Sequence, residues 1–327
     1  MKKYNVAIVG ATGVVGTTFL KVLEEYDFPV NELHLFASEK SLGSEVLFKG
    51  EKHLIKCLDM NSFENIDFAL FSAGANVSLK WAPVAESAGA IVIDNSKAFR
   101  MNDECSLIVP EININDYKSK RRIIANPNCS TIQSVIPLNA LKKYGIERVI
   151  YTTYQAVSGS GSKGINDYEN TKNGYEESFY PYNISKTCIP HIDSFLDSGY
   201  TKEEMKMIEE TRKILHLPDL KVTATCVRVP ILMSHAVSVI VELSKDFELD
   251  EIRNDFISQE GIILLDSPKE NIYPTAIHST GNDNVYVGRI RRDLSNPKAL
   301  MFYCVADNIR KGAASNAVMI AKKIIEE

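Results

Sequence analysis

The chain has 327 residues, 45% of them hydrophobic and 24% charged, with a net charge of −5 at neutral pH. That length exceeds what one core usually holds and points to two domains, while the composition is that of a soluble globular protein and the acidic balance argues against general nucleic-acid binding. No apolar run is long enough to span a bilayer, and no membrane partner is expected.

The N-terminus, MKKYNVAIVGATG, has two lysines and then apolar residues, as a signal peptide would, but Asn5 and the glycines interrupt the run. Asn5 to Val9 reads as a buried first strand. Gly10-Ala11-Thr12-Gly13-Val14-Val15-Gly16 follows, and Val15, Phe19, Val22, Leu23 and Tyr26 then recur at helical spacing. Strand, glycine loop and helix in this order form the context of a dinucleotide site, although the spacing is GxxGxxG and not GxGxxG. The glycines admit a pyrophosphate and the helix start supplies N–H donors.

The second strand, Leu33 to Ala37, leads into Ser38-Glu39-Lys40-Ser41. An NAD site commonly carries a carboxylate at the end of this strand. Two hydroxyls and Lys40 suit a 2′-phosphate instead, so NADP(H) is the expected cofactor, with Glu39 as the opposing charge. Further strands are expected at Phe68–Ala73, Ala90–Asp94, Leu107–Val109 and Arg122–Ala125. Alternation with helical segments predicts a mainly parallel, doubly wound α/β sheet. Two of its strands end in polar loops, Ser72-Ala73-Gly74-Ala75 and Asp94-Asn95-Ser96-Lys97, where ligands of such sheets gather.

Asn126-Pro127-Asn128-Cys129-Ser130-Thr131 comes next, and a helical pattern runs from Ser130 to about Tyr144. Cys129 therefore stands at a helix start, where unpaired N–H groups and the helix dipole favour a thiolate, the attacking form of cysteine. Asn128 beside it offers a donor for an oxyanion. The six cysteines, at 57, 105, 129, 188, 226 and 304, form no CxxC pair. Neither a zinc site nor a disulfide framework is expected, no metal is implied, and a reducing cytoplasm suits them.

Beyond Gly145 the strand-like runs are longer: Arg148–Val157, Val222–Val229, Ala236–Leu243, Val285–Arg291 and Ala299–Val305. They predict a mixed or antiparallel sheet in an α+β second domain. Thr201 and Glu204 spell a capping box, and Glu203, Lys206 and Glu210 fall near one face of the helix that follows, which as a whole reads as a salt-bridged surface helix. Asn308 to Ile325 reads as an amphipathic closing helix. The pattern change sets the domain boundary near residue 127.

Taken together, GATGVVG, FASEKSLG, FSAGA, NPNCSTIQ, TYQAVSGSG, the EEMK helix, CVRVPILMSH, VGRIRRD and DNIRKGAASN stand in the order found in aspartate-β-semialdehyde dehydrogenases, and the chain resembles the shorter bacterial form of that family nearly end to end. The resemblance implies a Rossmann-like cofactor domain at 1–127, with 308–327 returning to it, and a catalytic and dimerisation domain at 128–307. It implies NADPH-dependent reduction of L-aspartyl-4-phosphate to the semialdehyde with release of inorganic phosphate, in the pathway to lysine, threonine and methionine, by a cytoplasmic homodimer. Cys129 would form a thioester and His235 would be the general acid/base, its ordinary pKa of about 6.5 suiting proton transfer near neutrality. Gln155 would orient the acyl group, Arg228 would pair with the α-carboxylate and Glu203 with the α-amino group, and Arg100 and Lys206 would bind phosphate. Gly10, Thr12, Gly13, Val14, Val15, Ser38, Lys40, Ser41, Ser72, Gly74, Ser158, Gly159 and Asn308 would line the cofactor. Lys97 and Lys40 depart from the residues commoner at their positions. The nearest rival is N-acetyl-γ-glutamyl-phosphate reductase, whose N-acylated substrate gives a carboxylate such as Glu203 no cation to meet. Glyceraldehyde-3-phosphate dehydrogenase has a different cysteine motif, and a non-catalytic NADP-binding sensor would leave Cys129 inert.

Overall fold

Strand and helix signals alternate through the first 127 residues, and the computed structural model, which describes residues 2–117 and 121–326, resolves them into one sheet. Two compact units are present, Met1–Pro127 with Ala313–Glu327, and Asn128–Gly312. In the first, β1 (Tyr4–Val9), α1 (Val14–Glu25), β2 (Val30–Phe36), β3 (Glu45–Phe48), β4 (Glu51–Lys56), β5 (Phe68–Phe71), α2 (Ala75–Ser87), β6 (Ile91–Asp94), β7 (Ser106–Leu107), α3 (Pro110–Asn113) and β8 (Ile123–Ala125) follow in chain order. The eight strands lie in the order β3-β4-β2-β1-β5-β6-β8-β7. All pairs are parallel except the β3–β4 hairpin, which the sequence reading left out.

Both faces of this sheet are covered, as a parallel sheet requires. Val6, Ile8, Phe68, Leu70, Ile93 and Ile124 share a core with Phe19 and Leu23 of α1 and with Ala317, Val318 and Ile320 of the C-terminal helix, Ser315–Glu326. The alternate residues Ala7, Val9, Ala69, Phe71 and Val92 are buried too. Strand alternation sends them to the other face.

The second unit contains α4 (Cys129–Leu141), β9 (Ile146–Gln155), α5 (Gly161–Lys172), α6 (Lys202–Leu215), β10 (Lys221–Arg228), β11 (His235–Leu243), α7 (Leu249–Ser258), β12 (Ile262–Leu264), α8 (Ala276–Ser279), β13 (Val285–Arg292) and β14 (Ala299–Ala306). Its six-stranded sheet has the order β10-β9-β11-β14-β13-β12 and is mixed, with β9–β10 and β12–β13 parallel and the remaining pairs antiparallel. Burial alternates along β9 and β11. Val149, Tyr151, Thr153 and Gln155 point inward with His235, Val237, Val239 and Val241, whereas Thr152, Ser238, Ile240 and Tyr303 on the opposite face stay half-exposed.

Two expectations are corrected. Residues 308–312 belong to the second unit, where Asn308 accepts the Ser234 N–H at 2.9 Å and pairs with Ser158 at 3.0 Å. The closing helix is accordingly not continuous from Asn308, because a π-turn at Arg310–Ala314 precedes it. Second, α6 is no solvated helix. Its capping box forms as expected, but Glu203, Glu204 and Glu210 are all buried, each holding a neighbouring segment. Among the described residues no helix is long and apolar enough to cross a membrane.

Candidate active site

In the first unit the glycine loop closes tightly on its neighbours. Gly10 has φ +93°, and a Cβ there would lie 2.6 Å from the Ser72 carbonyl oxygen, so neither the conformation nor the space admits a side chain. Gly13 is the N-cap of α1 and has no side chain to cap its first turn. The loop after β2 folds back so that the Thr12 and Ser41 hydroxyls stand 3.4 Å apart. Ser38, Glu39 and Lys40 are exposed beside them, and Gly74 is exposed at the start of α2. An uncapped helix start, a bare glycine turn and a hydroxyl-lined rim with one lysine fit the pyrophosphate and phosphorylated ribose of a dinucleotide.

Arg100 also lies in this unit and is buried. Its Nε donates to the Asn126 carbonyl at 2.9 Å and its Nη2 to the Asn95 carbonyl at 3.0 Å. Asn126 in turn donates to the Asn95 side chain at 2.6 Å and accepts from Asn316 at 2.7 Å. This network fixes the end of β8, from which the chain runs through Pro127 to Asn128. Asp94, at the end of β6, is pushed up by burial, against the donors Ser78 and Ser96. Lys97 is exposed.

In the second unit the helix start expected at Cys129 is present. Asn128 is the N-cap of α4, and its side-chain oxygen accepts the N–H groups of Ser130 and Thr131 at 3.0 and 3.3 Å. Its amide nitrogen donates to Glu203 at 2.8 Å. In this state Asn128 caps the helix and anchors α6, which leaves only the second hydrogen of the amide for the oxyanion role expected from the sequence. Cys129 is half-buried while Ser130–Leu138 are buried throughout. By contrast, burial holds the Cys304 thiol up at about 12 and pushes the Cys226 thiol well above its ordinary range.

The sheet brings the remaining groups together by register. Gln155 ends β9 opposite Arg228 at the end of β10, and His235 opens β11, whose next residue pairs with Tyr154. Gln155 accepts from Thr153 at 3.0 Å and donates to Glu203 at 3.1 Å. Lys206 donates to the other Glu203 oxygen at 2.8 Å and to Asp193 at 2.8 Å. Burial would raise the Glu203 carboxyl, but the Lys206 ammonium and the donors from Asn128 and Gln155 outweigh it and hold the group at about 2. Burial would lower Lys206, and its two carboxylate neighbours push it up instead. Arg228 donates through Nη1 to the Ala156 carbonyl at 2.6 Å, while its buried Nε has no hydrogen-bond partner among the described residues. His235 does not keep the ordinary histidine pKa expected from the sequence. Burial first, and then the Arg228 charge, push it down to about 3, against the pull of Glu203 and of the Ser234 carbonyl. A Cβ at Gly159 would sit 3.0 Å from both Arg228 Nη1 and His235 Nε2, so the glycine leaves the space in front of them open. Ser158 and Asn308, expected on the cofactor, are buried and bonded to one another.

Three further residues take part that the sequence reading gave no role. Glu210 accepts the Asn128 N–H at 2.6 Å, so two carboxylates of α6 hold the start of α4. Asp193 shares Lys206 from a loop that carries no motif. Gly312 lies in the π-turn, its N–H bonded to the Asp307 carbonyl at 2.9 Å, and a Cβ there would fall 2.7 Å from the Cys129 Cβ. The glycine of RKGAAS was the only sequence signal for this approach. Gly312→Ala must displace Cys129 or the turn, and a displacement near 1 Å at a reacting group costs about 100-fold in rate. We expect kcat to fall on that scale with near-normal cofactor binding, and steady-state kinetics beside a cofactor titration check it.

The comparisons with known proteins agree with this geometry. Residues 5–120 match the family described as "Semialdehyde dehydrogenase, NAD binding domain", and residues 137–311 match "Semialdehyde dehydrogenase, dimerisation domain". The chain is 50% identical to the aspartate-semialdehyde dehydrogenase of Aquifex aeolicus, covering 99% of this chain and 98% of that protein. It is 45% identical to the Bacillus subtilis enzyme over 98% of this chain and 97% of the relative. Aspartate semialdehyde dehydrogenase II of Vibrio cholerae, solved in complex with ASA, superposes with a TM-score of 0.94 at 43% identity, covering 100% of this chain and 99% of that one. With matches of this extent on a fold that carries a nicotinamide-dinucleotide domain, the chain belongs to the aspartate-semialdehyde dehydrogenase family, whose reaction is the reductive dephosphorylation of L-aspartyl-4-phosphate to L-aspartate-4-semialdehyde.

Proposed function

We propose that the reaction runs through a thioester on Cys129, with NADPH as the reductant. The observation that carries this reading is the convergence of Cys129 at the start of α4 with Gln155, Glu203, Arg228 and His235 from β9, α6, β10 and β11 in one unit. The Cys129 sulfur adds to the acyl carbon, a C–S bond forms, and the C–O bond to phosphate breaks with its electron pair leaving on phosphate. The bound cofactor supplies hydride to the thioester carbon. The reduced carbon then expels the Cys129 sulfur, which frees the aldehyde and returns the thiolate.

Around that carbon, Gln155 orients the acyl group and His235 is the general acid/base. Arg228, with an unpartnered Nε beside its bonded Nη1, has the fork to hold the α-carboxylate. Glu203 holds the α-amino group, for which an ionised buried carboxylate is suited. Arg100 and Lys206 hold the phosphate. Thr12 to Val15, Ser38, Lys40, Ser41, Ser72 and Gly74 hold the dinucleotide, with Lys40 on the 2′-phosphate; Gly159 is a further cofactor contact, and Ser158 and Asn308 act by shaping their own loop. The half-exposed face of the second sheet, where Tyr154 and Tyr303 pack with ring centroids 6.2 Å apart, is the surface for a homodimer. The enzyme works in the cytoplasm.

The test is phosphate-dependent oxidation of aspartate semialdehyde and of N-acetylglutamate semialdehyde, each with NADP and NAD. Turnover of the first aldehyde and a higher kcat/KM with NADP are expected. Preference for the acylated aldehyde would remove the role given to Glu203, and preference for NAD would remove that of Lys40.

A further inference from the structure

The Lys206 ammonium is shared by two carboxylates. It donates to Glu203 Oε2 and to Asp193 Oδ2, each at 2.8 Å. Glu203 Oε1 is taken by the amides of Asn128 and Gln155, so Oε2 is the oxygen with a lone pair to spare for a substrate ammonium. Asp193 is held for its contact from both sides. Before it, Ile189 pairs with Arg228 through both backbone bonds, at 2.9 and 2.8 Å. After it, the Ser194 carbonyl accepts the N–H of Lys202, at the start of α6, at 2.9 Å. Between these anchors Asp193 adopts φ +66°, a left-handed conformation that aspartate tolerates better than most residues. We propose that Asp193 is a positioning residue that sets substrate specificity: it neutralises Lys206, so that Glu203 keeps its negative charge for the α-ammonium of the substrate.

Charge counting gives the reason. Lys206 and Glu203 alone would be a neutral pair, and an arriving ammonium would have to displace Lys206 from its only carboxylate. With Asp193 present, two carboxylates surround one ammonium, and the cluster carries one negative charge that the substrate cation cancels. Asp193 also gives Lys206 a partner to keep when the substrate takes Glu203 Oε2, so no buried cation is left unpaired. Among the described residues, two of the three Lys206 N–H donors go to these carboxylates, which leaves the third for phosphate. Asp193 thus acts through Lys206 and does not itself touch the substrate. The inference rests on the pairing of Glu203 with the α-ammonium.

The test compares aspartate semialdehyde with succinate semialdehyde, which has the same carboxylate and aldehyde but no amino group, in phosphate-dependent oxidation by wild type and Asp193→Asn. The preference is read as the ratio of kcat/KM or, for a poor substrate, from its competition against aspartate semialdehyde. Asparagine tolerates the left-handed backbone and keeps one oxygen, either for Lys206 or for the Ser194 N–H that Asp193 Oδ1 accepts at 2.9 Å, so the variant removes chiefly the charge. Wild type should prefer the amino aldehyde. That preference should fall about tenfold in the variant, the order of one unit charge several ångströms from the bound cation. KM for phosphate should stay level or fall, because Lys206 is then less neutralised. Should the asparagine variant fold poorly, Asp193→Gly, free to adopt φ +66°, carries the same comparison. An unchanged preference in a folded variant with normal NADPH affinity overturns the proposal. So does an equal loss with both aldehydes, the mark of a purely structural residue, and so does a rise in KM for phosphate. A wild type with no preference for the amino aldehyde removes the role of Glu203 itself, and the proposal with it.

Discussion

Cys129→Ala is expected to lose all measurable dehydrogenase activity, a fall of about 10⁶ by comparison with other enzymes stripped of a nucleophile. The substitution changes little else. Alanine is the best helix former and Cys129 is the first helical residue of α4, so the helix should persist. Asn128 still caps it through Ser130 and Thr131, and Glu203 and Glu210 still hold Asn128. The glycine loop, Ser38 and Lys40 belong to the other unit, so NADPH should bind with nearly unchanged affinity. Cys129→Ser retains a hydroxyl at the same place but not a thiolate, and should recover little of the rate. Mass spectrometry of acid-quenched wild type mixed with aspartyl phosphate, cofactor omitted, should show a protein adduct of one aspartyl group, absent from Cys129→Ala. An alanine variant keeping more than a few per cent of activity ends the covalent mechanism.

The sequence carried this part of the site because its signals are local. A helix start after a strand, with Asn before Cys, is legible from a few adjacent residues, and so is the capping box that the structure forms at Thr201 and Glu204. The strand-like runs that predicted β9 and β11 are likewise local, but not that Gln155 and Arg228 close, and His235 opens, neighbouring strands at one edge of the sheet, which is a matter of register. The misread features are those settled by tertiary burial. Charges on α6 at i, i+3 and i+7 look like a solvated face, yet Glu203, Glu204 and Glu210 are spent on Asn128, Gln155 and the Cys226 N–H. The ordinary pKa of histidine gave no hint of a ring enclosed beside Arg228. The π-turn that breaks the closing helix has no propensity signature beyond Gly312, where a Cβ would fall against Cys129, a contact between residues far apart in sequence.

Glu203→Gln should have the second-largest effect, and for reasons visible in its surroundings. The carboxylate accepts from Asn128 and Gln155 on one oxygen and from Lys206 on the other. Glutamine keeps one acceptor but turns an NH₂ group toward the Lys206 ammonium or toward the two amides, so a donor faces a donor either way. Breaking one side of a buried ion pair costs about 3–5 kcal/mol. The remaining Lys206–Asp193 contact should place the loss at the low end. Activity suffers further, because the substrate ammonium loses its counter-charge and Asn128 and Gln155 lose their anchor. A fall in kcat/KM for the semialdehyde of at least about 1,000-fold is expected, close to what an unpaired buried charge costs in binding. KM for phosphate should change much less. The pH dependence supplies a separate check. The folded carboxyl sits at about 2, below its unfolded value, so its contribution is complete above that unfolded value and is lost as pH falls toward 2. Wild type should therefore lose stability between about pH 4.5 and pH 2 more steeply than Glu203→Gln, and the two denaturation curves should converge in acid. Parallel curves across that window would show that Glu203 is not ionised in the folded enzyme, and the role given to it as the partner of the amino group would fail with it.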